Sequence, residues 1–320
     1  MMPLSSLGTR RRAGGCVSLL GALLLALFSF GQTEGPQKPP PPVKEPQIRA
    51  EVDLVLVNVT VEDPYGRIVT GLEQENFRVF EDGVEQEIVH LSGEDVPVSI
   101  GLVLDLSGSM TEKMPIERTG AVEFLRGGNA RDEFLVVAFR NRAELVSDFT
   151  SIPEELESRL LYLTSHGLTA LYDGVYLALA KMSSAHNQRR AIILISDGGE
   201  NHSRYSEKDI TRFLLEADTQ FYTIGVFGRP RTPEEAHGPE LLRELTERTG
   251  GRSFAFSPDS LPDIVQKIGN ELRSQYVLAY RPSNRAHDGH WRKIQVQLVP
   301  PRGLPPLHLY ARTGYTAPSY

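Results

Sequence analysis

The chain has 320 residues, 40% of them hydrophobic and 23% charged, with a formal net charge of −7. That length accommodates one large domain and a smaller one, and the acidic balance argues against nucleic acid as a partner. A single cysteine, Cys16, excludes an internal disulfide and a zinc–thiolate centre.

The three arginines Arg10, Arg11 and Arg12 precede an apolar run from Val17 to Phe30, and a polar stretch follows from Gly31. A basic start, an apolar middle and small residues after it predict a secretory signal peptide over residues 1–31. The run of about 14 residues is shorter than the roughly 20 a membrane-spanning helix needs, so no transmembrane span is expected in the mature chain. Cys16 precedes the apolar run and is not placed to carry a lipid. Cleavage removes three positive charges and takes the formal charge from −7 to −10. The product is expected to be secreted or periplasmic. Residues 32–47 contain four consecutive prolines in "QKPPPPVKEP", which predicts an extended linker.

Residues 48–95 read as all-β. In "EVDLVLVNVTVED" apolar residues fall on both alternating faces, so part of this strand is expected to be covered on both sides. "FRVFEDGVEQEIVHL" predicts a hairpin turning at Asp82–Gly83. From residue 97 to 272 strands and helices alternate. Strands are predicted over 99–105, 133–139, 143–149, 190–197, 220–227 and 252–256. Helices are predicted over 115–126, 152–163, 170–182, 206–218 with Ser206 as N-cap, 239–251 and 261–273. This alternation predicts an α/β domain with a doubly wound, mostly parallel, Rossmann-like sheet. Residues 274–320 return to β character in "SQYVLAYRP", "HWRKIQVQLV" and "LHLYART". Neither β flank alone has enough strands for a two-layer core, so one expectation is that the two pack as one module with the α/β domain inserted between them, the simpler alternative being two small β additions packed separately on the main domain.

Ligands of open α/β sheets bind beyond the carboxyl ends of the strands, where the strand order reverses. Two predicted strands end there in carboxylates, at Asp105 in "LVLDLSGSM" and at Asp197 in "ISDGGEN". Asp105, Ser107 and Ser109 sit two apart, so an extended segment aims their oxygens the same way. Thr169, in "SHGLTALYDG", opens a helix nearby. Two carboxylates and three hydroxyls, without sulfur or a required imidazole, suit Mg²⁺, with Mn²⁺ or Ca²⁺ as substitutes. A turn that caps the next helix is the plain alternative for Asp105 to Ser109. A phosphate-transferring enzyme would need an acid two residues after Asp105, where Ser107 stands. His287 and His290 in "HDGH" fit a solvated turn, and Trp291 in its β run fits the core.

The set "DLSGS" (Asp105, Ser107, Ser109), Thr169 in "TALYD" and Asp197 in "ISDG" resembles the metal-ion-dependent adhesion site of the von Willebrand factor type A family. The resemblance covers residues 97 to about 272. The flanks, in "LRSQYVLAYRP" and "RTGYTAP", also resemble a secreted group of these proteins first described from acidobacterial genomes. The resemblance implies that Ser107 and Ser109 bind the metal directly and that Thr169 does so directly or through water. Asp105 and Asp197 would act partly through water, and Asp173 would steady the Thr169 loop. It further implies a non-enzymatic module whose partner protein presents a Glu or Asp to the cation. Two readings compete with it: a scaffold that binds through its β flanks and keeps a vestigial site, and a phosphatase-like hydrolase. The sequence leaves oligomeric state open.

Overall fold

The structure, a computed structural model, describes residues 54–93, 96–230, 232–256 and 260–319. The expected signal peptide, the proline-rich linker and the start of the N-terminal β segment lie outside them.

Four strands come first: β1 (Val55–Glu62), β2 (Phe77–Glu81), β3 (Val84–Gln86) and β4 (Ile88–Ser92). The α/β region follows as β5 (Val98–Asp105), α1 (Met114–Arg126), β6 (Glu133–Phe139), β7 (Ala143–Thr150), α2 (Pro153–Leu160), α3 (Leu171–Met182), β8 (Arg189–Ser196), α4 (Glu207–Glu216), β9 (Gln220–Gly225), α5 (Pro233–Glu247), β10 (Ser253–Ala255) and α6 (Leu261–Arg273). The chain ends with β11 (Tyr276–Tyr280), β12 (Trp291–Leu298), β13 (His308–Ala311) and β14 (Gly314–Thr316).

The central sheet has six strands in the order β10-β9-β8-β5-β6-β7. All pairs are parallel except β6 with β7, where the short turn at Asn141–Arg142 returns the chain antiparallel. Every residue of β5 is buried, as befits a strand with helices on both faces. On one face Ile100, Leu102 and Leu104 pack with Phe124 and Leu125 of α1 and Ile268 and Leu272 of α6. On the other face Val103, Ile192 and Leu194 pack with Val175 of α3, Leu214 of α4 and Leu242 of α5. The chain leaves β5 for β6 on one side and returns to its other side as β8. The order therefore reverses between β5 and β8, whose carboxyl ends carry Asp105 and Asp197. This is the α/β, doubly wound, mostly parallel architecture.

Helix starts follow local chemistry. Pro stands in the first turn of α1, α2, α5 and α6, where its missing N–H costs nothing. In α4 the Ser206 hydroxyl accepts from the Asp209 amide and the Asp209 carboxylate accepts from the Ser206 amide. Three sequence expectations shift. The helix expected from Pro239 begins at Pro233, capped by the Thr232 hydroxyl on the Glu235 amide, and Pro239 lies inside it. The helix expected over 152–163 closes at Leu160, leaving Leu161 and Tyr162 exposed. Trp291 is 39% exposed, because in β12 the adjacent Arg292 takes the inward position and pairs with Asp288 at 2.9 Å.

The flanking strands form two four-stranded sheets, β13-β1-β11-β4 and β14-β12-β2-β3. Each draws strands from both ends of the chain: Val57 pairs with Leu278, and Val79 with Val296. Val57, Val59, Val61, Val79, Leu278 and Ile294 fill the space between them. In β1 the first half is covered on one face only, with Leu56 exposed, whereas Val59 to Glu62 are buried on both. There Glu62 forms ion pairs with Arg252 and with Lys267 of α6, the latter at 3.3 Å. Glu271 of α6 lies 3.5 Å from the same arginine and accepts the Tyr222 hydroxyl at 3.2 Å.

Candidate functional site

The site is built where β5 gives out. The Leu106 amide still donates to the Phe139 carbonyl at 2.7 Å, so the ladder to β6 fixes the strand to its last residue. Asp105 is fully buried. One of its carboxylate oxygens accepts the Ser107 amide at 3.0 Å, and the other accepts the Ser196 hydroxyl at 2.6 Å. That second contact follows from register: Leu104 pairs with Ile195, which sets the last residue of β8 beside Asp105. After Asp105 a tight turn over Gly108–Met110, anchored by buried Met110, brings the Ser107 and Ser109 hydroxyl oxygens within 3.1 Å of each other.

A second loop straps over the first. The Ser165 hydroxyl donates to the Ser107 carbonyl, the His166 amide to the Leu106 carbonyl at 2.8 Å, and the Gly108 amide to the Gly167 carbonyl at 3.0 Å. Gly167 has φ +86° at this crossing, and a side chain there would collide with Asn141. The strap delivers Thr169, which is 5% exposed, to the head of α3.

Thr169 is in turn held by the third loop. Its amide donates to the Asn201 side-chain oxygen at 3.0 Å, and its carbonyl accepts the amides of Asn201 and His202 at 3.1 and 3.0 Å. In that third loop Asp197 is 2% exposed and accepts the Gly199 amide at 3.2 Å through one oxygen and the Lys113 ammonium at 2.7 Å through the other. Helix α5 lies against it so closely that a Cβ on Gly238 would sit 2.2 Å from the Asp197 carbonyl. The three loops carrying Asp105, Ser107 and Ser109, then Thr169, then Asp197 therefore adjoin pairwise. Asp173 does not touch the Thr169 loop in this way. Its carboxylate accepts the backbone amide and the guanidinium of Arg204, both at 2.9 Å, and ties α3 to the end of the third loop.

Four residues of this centre were invisible to motif reading. Ser196 and Asn201 are the side-chain bridges just described. Glu117 returns from the first turn of α1 to accept the Asp105 amide at 2.7 Å, and Lys113 reaches Asp197. Glu117 is 1% exposed and its second carboxylate oxygen has no hydrogen-bond partner. Three buried acids thus share one small volume. Burial, reinforced by the charge of Asp197, pushes the Asp105 carboxyl up to about 7, against the pull of its hydrogen bonds from Ser107 and Ser196. Burial, reinforced by the charge of Asp105, pushes Glu117 well above the carboxylate range. Among the described residues Lys113 is the one positive group that forms an ion pair with any of the three.

Oxygen donors beside buried acids short of countercharge fit a hard divalent cation. The serine oxygens at 3.1 Å are close to the ~3.0 Å edge of an octahedron with ~2.1 Å bonds. Among the described residues, no three or more His, Cys, Asp or Glu side chains are grouped to hold a metal. The set expected here has two carboxylates and draws its other donors from hydroxyls.

Residues 100–200 match the sequence profile of the von Willebrand factor type A domain. An uncharacterized protein of Borreliella burgdorferi is 24% identical over 209 residues, which is 55% of this chain and 58% of that one, so the match spans less than two thirds of the relative. Among solved structures, a von Willebrand factor type A protein from Catenulispora acidiphila is 13% identical with a TM-score of 0.49, covering 83% of this chain and 74% of that one. The vWF domain of the type V pili tip protein Mfa5 from Porphyromonas gingivalis is 15% identical with a TM-score of 0.43, covering 55% of this chain and 95% of that one. The conserved hypothetical protein BatB from Bacteroides thetaiotaomicron is 18% identical with a TM-score of 0.45, covering 55% of this chain and all of that one.

Proposed function

We propose that this chain, whose residues 100–200 match the von Willebrand factor type A profile, is a protein-interaction module that binds an acidic side chain of a partner protein through a divalent cation held by Asp105, Ser107, Ser109, Thr169 and Asp197. The observation that carries the reading is the placement of two buried carboxylates, Asp105 and Asp197, on adjoining loops beside the paired hydroxyls of Ser107 and Ser109. Mg²⁺ is the cation the oxygen donors favour, with Mn²⁺ or Ca²⁺ as substitutes.

Bound there, the cation would supply an electrophilic position for a carboxylate of the partner. The chain's own groups do the rest. Ser107 and Ser109 offer neutral oxygens, which leave more positive charge on the ion than carboxylates would. Asp105 and Asp197 neutralise part of that charge and orient the hydroxyl protons. The strap from Ser165 to Thr169 and the Asn201 bridge fix Thr169 before any ligand arrives, so little ordering remains to oppose binding.

We read the protein as a binding module rather than an enzyme, since the position two after Asp105 is a serine and offers no acid or base for phosphoryl transfer. The signal-peptide pattern over residues 1–31 favours an extracellular or periplasmic setting. Among the described residues no helix is long and apolar enough to cross a membrane.

The test is calorimetric titration of Mg²⁺ or Mn²⁺ into the wild type and Asp105→Ala, paired with a pull-down from membrane and medium fractions with and without chelator. Cation binding lost in Asp105→Ala and a partner released by chelator are the expected results. Equal, negligible heats for both proteins would favour a scaffold that binds through its β flanks.

A further inference from the structure

Lys113 stands out because it brings a positive charge into the centre from the chain itself. Its backbone is fixed: its amide donates to the Met110 carbonyl at 2.9 Å, and its carbonyl accepts the Ile116 and Glu117 amides at 3.0 and 3.1 Å. Its stem runs past Gly228, in the loop after β9. A Cβ built on that glycine would lie 3.4 Å from the lysine Cε and 3.9 Å from Nζ, ordinary contact distances, so the stem passes along this loop without crowding. The ammonium ends 2.7 Å from an Asp197 oxygen, with the side chains 18% and 3% exposed respectively.

Those contacts have a consequence for the carboxylate. The Gly199 amide holds one Asp197 oxygen and Lys113 holds the other. A divalent ion that draws on Asp197 meets an ammonium already neutralising it, and two cations within a few ångströms in a buried site repel strongly. The lysine has an alternative, because four rotatable bonds and its partial exposure let the head swing out to water while the stem keeps its contacts.

We propose that Lys113 is a tethered counter-ion that holds the Asp197 side of the site until a divalent cation displaces it. The inference rests on the cation reading above and adds a residue that sets the threshold for loading. Without cation, Lys113 neutralises Asp197 and so relieves part of its repulsion with Asp105. With cation, it is expelled, and the work of breaking its ion pair lowers the apparent affinity. The site thereby exchanges one charge for two instead of passing through an uncompensated state.

A lysine that supported the loaded site would predict the opposite sign, which makes the test decisive. Mg²⁺ and Mn²⁺ are titrated by calorimetry into the full-length chain as wild type, Lys113→Met, Lys113→Arg and Asp105→Asn, with melting followed in parallel. Lys113→Met is expected to bind at least tenfold tighter than the wild type, to melt lower in chelator, and to recover that loss in saturating Mg²⁺. Lys113→Arg keeps the charge and is expected to stay within about threefold of the wild type. Asp105→Asn is expected to lose cation binding. If the wild type binds and Lys113→Met binds equally or more weakly, the tethered counter-ion is overturned while the cation site stands. If neither the wild type nor Lys113→Met binds, the cation site itself is overturned and this inference with it. Should Lys113→Met not fold, acetylation of wild-type lysines read by mass spectrometry decides. Labelling of Lys113 is expected to rise severalfold in saturating Mg²⁺, and constant or reduced labelling would overturn the proposal.

Discussion

Asp105→Asn isolates the strain stored in the centre. The substitution keeps shape and removes the charge of one of three neighbouring buried acids. Its side-chain oxygen can still accept the Ser107 amide, and its new NH₂ can donate to the Ser196 hydroxyl oxygen in place of the bond that hydroxyl now donates. The rise of the Asp105 carboxyl from 3.8 to about 7 corresponds to ~4 kcal/mol against its charged form. Rearranging the hydrogen bonds returns about 1 kcal/mol of that. In chelator at pH 8 the variant is therefore expected to be more stable than the wild type by roughly 1–3 kcal/mol, or about 2–5 °C in melting temperature for a chain of this size. Thermal denaturation followed by circular dichroism reads this directly. Saturating Mg²⁺ is expected to raise the wild type and leave the variant unmoved. A variant less stable than the wild type in chelator would mean that the Asp105 charge is at ease without a cation, the opposite of what its burial beside Asp197 implies.

Other expectations follow from the same contacts. Gly238→Ala places a Cβ 2.2 Å from the Asp197 carbonyl, so α5 must retreat, and both melting temperature and cation affinity are expected to fall; unchanged values for both would show that the packing is slack. Asn201→Ala unfastens Thr169 and is expected to weaken cation binding severalfold in calorimetry while costing only about 1 kcal/mol in urea denaturation. Far from the site, burial pushes the Glu271 carboxyl up to about 7, although the charge of Arg252 pulls it down. An acid raised in the folded state contributes stability that is present below its unfolded value near 4.5 and lost as pH rises toward 7. Between pH 5 and 7.5, Glu271→Gln is thus expected to lose up to ~3 kcal/mol less than the wild type in urea denaturation, and parallel pH profiles would contradict this.

What the sequence discloses about this molecule is what depends on local pattern. The buried run before Asp105 reads as a two-sided strand because it has no polar face, and the i, i+2 spacing of Asp105, Ser107 and Ser109 survives folding as a shared direction. Asp197 is legible for the same reason, as a carboxylate closing an apolar run. Ser196 is not, since its role depends on pairing with a strand ninety-one residues earlier in the chain. Glu117 reads as a solvent-facing position of an amphipathic helix, and only the sharp entry into α1 turns it back under the Asp105 amide. Lys113 resembles any polar residue before a helix until the loops close. The start of α5 is set by the Thr232 hydroxyl on the Glu235 amide rather than by Pro239, where the sequence places it. At Trp291 alternation fixes that neighbours face opposite ways but not which faces inward, and the Arg292–Asp288 pair settles the phase.

The most direct measurement is a crystal of the full chain soaked in Mn²⁺ and recorded at a wavelength where manganese scatters anomalously. One strong peak is expected within bonding distance of the Ser107 and Ser109 hydroxyl oxygens, with Lys113 swung away from Asp197. Strong peaks only at surface carboxylates, with the Asp197–Lys113 pair intact, would contradict this expectation.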